Sequence, residues 1–228
     1  MGMRVMERAP QRLFGRRKGR PLRAAQENLM ETLLPRVAIA VQEGARIEPF
    51  GLFDTVPEAV RLEIGFGGGE HLVAQAASNP TIGFMGCEPF VNGVAKLLTQ
   101  IDEQELKNVR IYPNDARHLL NALPDGSLDA VFVLYADPWP KKRHAERRFI
   151  GKENLDSLAR VLKTGGQLRL ATDVAGLAQW MREQANVHAS FVCAYDGPQA
   201  PADWVPTRYE QKGIAAGRSP EYFIYRRV

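Results

Sequence analysis

The sequence predicts a doubly wound α/β domain, a seven-stranded and mostly parallel sheet with helices on both faces, from three observations. Short apolar runs rich in β-branched and aromatic residues alternate with helical patterns from residue 60 to the end of the chain. The first run, Val60-Arg61-Leu62-Glu63-Ile64, passes into Gly65-Phe66-Gly67-Gly68-Gly69 and then into a helix. Acids stand at the ends of four successive runs: Glu63, Glu88, Asp115 and Asp137. Open α/β sheets bind their ligands along the carboxyl ends of the strands, so this series marks the edge that carries the site.

With 228 residues, 45% of them hydrophobic, the chain can bury one well-packed core. No apolar run approaches the roughly 18 residues of a membrane span. Met1 to Pro10 carries charges where a signal peptide is apolar, and Met6 stands where a myristoylation motif wants Ser or Thr. Cys87 and Cys193 have neither metal-ligand nor disulfide spacing, so a reducing cytoplasm and no metal are expected.

The net charge of +4 is mild, but its distribution is uneven. From Met1 to Arg23 eight basic residues (Arg4, Arg8, Arg12, Arg16, Arg17, Lys18, Arg20, Arg23) face one acid, Glu7. Residues 1–21 are read as a basic, flexible arm and residues 22–228 as a single domain. Such an arm stays solvated or orders on a nucleic acid, where each phosphate contact releases counterions. Leu22 to Val41 then has Leu29, Leu33, Leu34, Val37 and Val41 at helical spacing around Pro35, which gives one kinked helix or two short ones.

Strand, glycine turn and helix (Glu70 to about Ser78) bring main chain close to a nucleotide. Glu70 occupies the sixth position of the dinucleotide fingerprint, where Gly or Ala is required, so that match fails. Glu63 would repel a pyrophosphate, but it suits a cationic ligand such as the amino group of S-adenosylmethionine. Ile82 to Cys87 forms the second strand, and Glu88 at its end is placed to accept hydrogen bonds from ribose hydroxyls. A helix from Pro89 to about Asp102 and a third strand, Val109 to Tyr112, lead to Asn114-Asp115-Ala116. That pair can bind an adenine amine, cap the helix Arg117 to Leu123, or do both.

The fourth strand, Ala130 to Tyr135, stops at Asp137-Pro138-Trp139-Pro140, and six Lys/Arg follow between Lys141 and Lys152. A helix is expected over Glu153 to Leu162, a turn at Lys163 to Gly166, and a fifth strand from Gln167 to Thr172 ending in Asp173. An apolar-faced helix with Leu177, Trp180 and Met181 follows, then strands at Ser190 to Tyr195 and Tyr222 to Tyr225. Between these last strands Thr207 to Gly213 reads as a polar loop with a hydroxyl, a cation, a stacking ring and a carboxylate, groups suited to gripping a splayed base. Trp139 is expected to stack on a ligand or, slightly favoured, to plug the core.

Together, Leu62-Glu63-Ile64-Gly65-Phe66-Gly67, Cys87-Glu88-Pro89, Asn114-Asp115-Ala116, Asp137-Pro138-Trp139-Pro140-Lys141-Lys142-Arg143-His144 and Thr207-Arg208-Tyr209-Glu210 closely resemble the bacterial tRNA (guanine-N7-)-methyltransferases. The resemblance runs from about residue 12 to the end and implies a Rossmann-like class I methyltransferase fold. It implies that Glu63, Gly65, Gly67, Glu88, Asn114, Asp115 and Asp137 line an S-adenosylmethionine site. It also implies that Lys141, Asp173, Thr207, Arg208, Tyr209 and Glu210 bind substrate, with Arg143, His144, Arg147 and Arg148 on the RNA. The substrate it implies is a variable-loop guanine of tRNA, with no obligate protein partner. Ala145 and Glu146 interrupt the basic run, Lys212 replaces a usual Arg, and Gly217-Arg218 stands where Gly-His is common.

The chemistry of the residues fits that implication. Guanine N7 carries no proton, so its methylation requires positioning rather than a general base. Asp137 is the expected catalytic residue: a fixed carboxylate that accepts from the guanine N1–H and N2–H edge and offsets the charge that N7 acquires. A small-molecule methyltransferase would leave the basic segments without purpose. A non-catalytic RNA-binding subunit would not need the strand-end acids.

Overall fold

The computed structural model describes residues 13–42 and 44–228. The strands are β1 (Ala59–Ile64), β2 (Ile82–Cys87), β3 (Val109–Tyr112), β4 (Leu128–Leu134), β5 (Leu162–Thr172), β6 (Phe191–Gly197) and β7 (Glu221–Arg227). The helices are α1 (Ala24–Thr32), α2 (Leu34–Val37), α3 (Glu70–Ser78), α4 (Val91–Glu103), α5 (Ala116–Ala122), α6 (Lys152–Val161), α7 (Ala175–Asn186) and α8 (Arg208–Ala215). The sheet runs β3-β2-β1-β4-β5-β7-β6, parallel except for β7, which lies antiparallel between β5 and β6. Winding outward from β1 to β3 and then returning to set β4 on the other side of β1 creates the switch point between β1 and β4.

The period of two along each strand divides the core. Val60, Leu62 and Ile64 of β1 and Val131 and Val133 of β4 pack with Leu119, Leu155 and Met181 of α5, α6 and α7. On the opposite face Phe84, Val109 and Ile111 meet Leu72 of α3 and Leu97 and Leu98 of α4. Further along that sheet Phe132, Ala171 and Tyr222 are covered by Trp204, in the segment before α8. The registers Ile64 to Cys87, Cys87 to Tyr112 and Ile64 to Val133 align the strand ends in one row. The acids expected at the site therefore emerge side by side.

Three local readings change. Lys163 to Gly166 is a bulge inside β5 rather than a turn before it: Leu128 pairs with Leu162 and Ala130 already with Gln167. Thr207 to Gly213 is not a loop. Thr207 caps α8 through Oγ1, which accepts from Glu210 N at 2.9 Å, and the Glu210 carboxylate accepts from Thr207 N in return. The segment around Pro35 takes the two-helix form, with Pro35 in the first turn of α2 and α1 packed against α4. Just beyond, Ile39 N donates to Ile111 O at 2.8 Å, covering the free edge of β3.

Candidate active site

The glycine turn is shaped by its neighbours. Gly65, Gly67 and Gly69 adopt φ of +75°, +58° and +83°, conformations that only glycine takes without strain. A Cβ on Gly93 of α4 would lie 2.2 Å from Gly67 O, so the helix and the turn approach as closely as two backbones can. Glu88 ties the turn down: Oε2 accepts from Gly67 N and Oε1 from Phe90 N, both at 2.9 Å. Burial pushes the Glu88 pKa up from the ordinary carboxylate value, and the charges of Asp137 and Glu63 add to this while the two main-chain donors oppose it.

Beside Glu88 lies a cavity of about 450 Å³, lined among others by Gly65, Glu88, Asn114, Asp115, Asp137 and Trp139. Asp115 caps α5, accepting from Arg117 N at 3.1 Å, and both its oxygens face Arg117 Nε at 2.9 and 3.0 Å. Asn114 Oδ1 accepts from Arg17 at 2.7 Å. The exposed Asp137 carboxylate accepts no hydrogen bond among the described residues.

The described part of the basic arm packs along this cavity. Phe14 and Gly15 line it, and the Arg147 guanidinium lies 4.3 Å from the Phe14 ring centre and 5.1 Å from that of Trp139. Val91 N donates to Arg17 O, Gly19 N to Asn92 Oδ1, and Asn92 Nδ2 to Arg20 O. Arg4, Arg8 and Arg12 lie outside the described residues.

A second cavity of about 330 Å³ opens on the other side of Gly65 and Tyr135, which line both spaces. Glu63, Gly67 and His71 form one wall, and Thr207, Arg208 and Tyr209 another. Tyr135 sits at φ +53° with its ring 5.4 Å from that of Tyr209. Burial, with the Glu210 carboxylate nearby, drives its pKa far upward, so the phenol stays protonated. Trp139, at φ +40°, is half-buried against Phe14 and His144 and joins none of the core clusters. Two non-glycine residues held left-handed within one short loop store about 1–2 kcal/mol each, Tyr135 where the two cavities meet and Trp139 along the first.

The remaining expected residues separate. Lys141 and Arg143 are exposed on the outer surface and line neither cavity, while His144 is half-buried at the edge of Trp139. The His144 pKa is lowered by desolvation and then by Arg147, Arg143 and Lys141. Arg148 turns inward: Nε donates to Pro138 O at 3.0 Å, NH2 to Trp139 O at 3.3 Å, and its guanidinium lies over Trp180. Asp173 Oδ2 accepts from Arg218 Nε at 2.6 Å, and its side chain is 4% exposed. Glu210 is buried and accepts from Tyr222 OH at 2.6 Å and Trp204 Nε1 at 2.9 Å. Sequence reading overlooked His71, Tyr135 and Phe14, and counted Arg17 only among the basic residues of the arm. The Thr-x-x-Glu capping box was the signal that α8, not a loop, begins at Thr207.

A glycine turn after β1, a switch point beside it and carboxylates along the strand ends define a Rossmann-like α/β enzyme fold. The solved structures of the 16S rRNA methyltransferase KamB (TM-score 0.57, 15% identity, 75% of this chain and 89% of that one) and of TrmN from Thermus thermophilus (TM-score 0.56, 17% identity, 75% and 45%) share it. A family model described as "Putative methyltransferase" matches residues 57–221. Curated tRNA (guanine-N(7)-)-methyltransferases of Rhodospirillum rubrum and Paramagnetospirillum magneticum are 50% and 52% identical, covering 95% of this chain and 88% and 92% of theirs. The chain belongs to the tRNA (guanine-N7-)-methyltransferase family, and it is a methyltransferase. Among the described residues no helix is long and apolar enough to cross a membrane, and no group of His, Cys, Asp and Glu is arranged to hold a metal.

Proposed function

We propose that the protein methylates N7 of a variable-loop guanine in tRNA, in the cytoplasm, with S-adenosylmethionine as donor. The observation that carries the reading is the meeting of the two cavities at Gly65 and Tyr135, one lined by Glu88, Asp115 and Asp137 and the other by Glu63 and the start of α8. The donor set fits the cofactor: Glu88 is oriented by two main-chain N–H groups with lone pairs left for ribose hydroxyls, and Glu63 offers a buried anion to an ammonium. When bound, S-adenosylmethionine supplies an electrophilic methyl group on a sulfonium.

The roles of this chain's residues follow from their chemistry. Asp137 accepts from the guanine N1–H and N2–H edge and offsets the positive charge that the base gains. Tyr135 and Tyr209 present aromatic faces to an unstacked base, whose extrusion costs a few kcal/mol. Thr207 and Glu210 hold α8 in place so that Arg208 and Tyr209 face the cavity, and Asp173 fastens the same helix through Arg218. Lys141, Lys142 and Arg143, with the exposed arm residues Arg16, Lys18 and Arg20, form the surface for RNA phosphates. Arg147 and Arg148 shape that loop from within.

The test is transfer of labelled methyl from S-adenosylmethionine to unmodified total tRNA, followed by nucleoside analysis. A labelled 7-methylguanosine peak is expected. Tight tRNA binding without incorporation would overturn the catalytic reading, and label on another nucleoside would overturn the target.

A further inference from the structure

Glu63 and His71 stand on either side of the glycine turn, one on β1 and one in the first turn of α3. His71 Nδ1 lies 2.7 Å from Glu63 Oε2, with the two side chains 2% and 5% exposed. His71 Nε2 is buried without a hydrogen-bond partner among the described residues, and the ring lies 5.1 Å from Phe132 and 6.2 Å from Trp204 between centres.

These contacts select one form of the ring. An imidazolium would bury a charged N–H at Nε2 with no acceptor, which is among the costliest arrangements. A neutral ring protonated at Nε2 would turn the Nδ1 lone pair toward the carboxylate. A neutral ring protonated at Nδ1 makes the observed bond and leaves bare only an acceptor against aromatic carbon. Glu63 then has Oε2 held by the His71 Nδ1–H, and Oε1 accepts nothing among the described residues. Both side chains line the second cavity beside Gly67.

We infer that His71 is a positioning residue for cofactor binding, its Nδ1–H fixing one oxygen of Glu63 so that the other meets the ammonium of the cofactor's amino-acid portion. The inference rests on the S-adenosylmethionine reading and deepens it. Trp204, bonded to Glu210, closes the other side of the ring, so the imidazole is held between the cofactor wall and the helix that faces the substrate.

The experiment is calorimetry with two ligands: S-adenosylhomocysteine, and 5′-methylthioadenosine, which lacks the amino-acid portion. His71→Phe keeps a ring and removes the donor; His71→Asn restores an N–H at the same distance from the backbone. His71→Phe is expected to weaken S-adenosylhomocysteine by about tenfold or more while leaving 5′-methylthioadenosine within about twofold, and His71→Asn to recover most of the loss. His71→Leu carries the same expectation and replaces the phenylalanine if that variant does not fold. Equal weakening of both ligands, or of neither, overturns the positioning role, as does an asparagine variant as weak as the phenylalanine. Wild-type protein that binds neither ligand overturns the cofactor reading itself, and this inference with it.

Discussion

Glu88 and Glu210 are glutamates 9% and 3% exposed in the same domain, and their carboxylates have different partners. Glu88 takes main-chain N–H groups from the loops after β1 and β2, and its remaining lone pairs border a cavity. Glu210 takes Trp204 Nε1–H, Tyr222 O–H and the first turn of α8, and lines neither cavity. The same contrast separates Asp137, which accepts nothing among the described residues, from Asp173, closed under Arg218. In the β1–β4 half Glu88 and Asp137 keep lone pairs for a ligand, while Asp115 is already held by Arg117; the β5–α8 half spends its acids on its own framework. What donates to a carboxylate, more than its position at a strand end, separates a ligand group from a fastener.

Five experiments probe that contrast. The largest effect is expected from Asp137→Ala: turnover falls about 100-fold or more, the scale of a lost preorganised electrostatic group, while tRNA affinity in a binding titration stays within about threefold. Equal loss of both would move Asp137 to the framework class. Glu210→Ala strands two buried donors, so stability falls by about 3 kcal/mol and Tm by about 9 °C in a thermal melt. Cofactor affinity per folded molecule is expected to stay near wild type.

Lys141→Ala with Arg143→Ala is expected to weaken tRNA about tenfold and flatten the slope of log affinity against log salt by about two phosphate contacts. Arg148→Ala, which frees Pro138 O and Trp139 O, registers in the melt and not in the salt slope. The smallest effect is on pH dependence. The native Glu88 pKa is raised, so the native state binds more protons than the unfolded chain between the ordinary carboxylate pKa and the raised one. Apoprotein stability from this group falls as pH rises through that window. Affinity for S-adenosylhomocysteine, which needs the ionised carboxylate, falls as pH drops through it. Urea midpoints and binding isotherms across mildly acidic pH are expected to show these opposite trends, and Glu88→Ala to remove both.

Most of the scaffold is written locally. Apolar runs of period two, the glycine turn and the acids after each run locate β1 to β4 and α3 to within two residues, because strand ends here coincide with abrupt changes in residue type. Lys163 to Gly166 misleads for a local reason: Gly-Gly suits a turn, but pairing with β4 on either side draws the segment into the strand as a bulge. Thr207 to Glu210 carries its helix signal openly, and the functional look of its side chains obscured it. Other features are not local at all. The Arg218–Asp173 lock spans 45 residues, and the Arg17–Asn114 contact that lays the arm beside the cavity spans 97. Trp139 departs from the slightly favoured core placement because its left-handed backbone turns it toward Phe14 and Arg147.

A crystal structure with S-adenosylhomocysteine bound tests the division of the edge most directly. The ligand is expected to run from Asp115 past Glu88 to Glu63, with its sulfur at Gly65 and Tyr135 and the Asp173–Arg218 and Glu210–Tyr222 bonds intact. A ligand that displaced Arg218 from Asp173, or Tyr222 from Glu210, to take the carboxylate for itself would contradict that division.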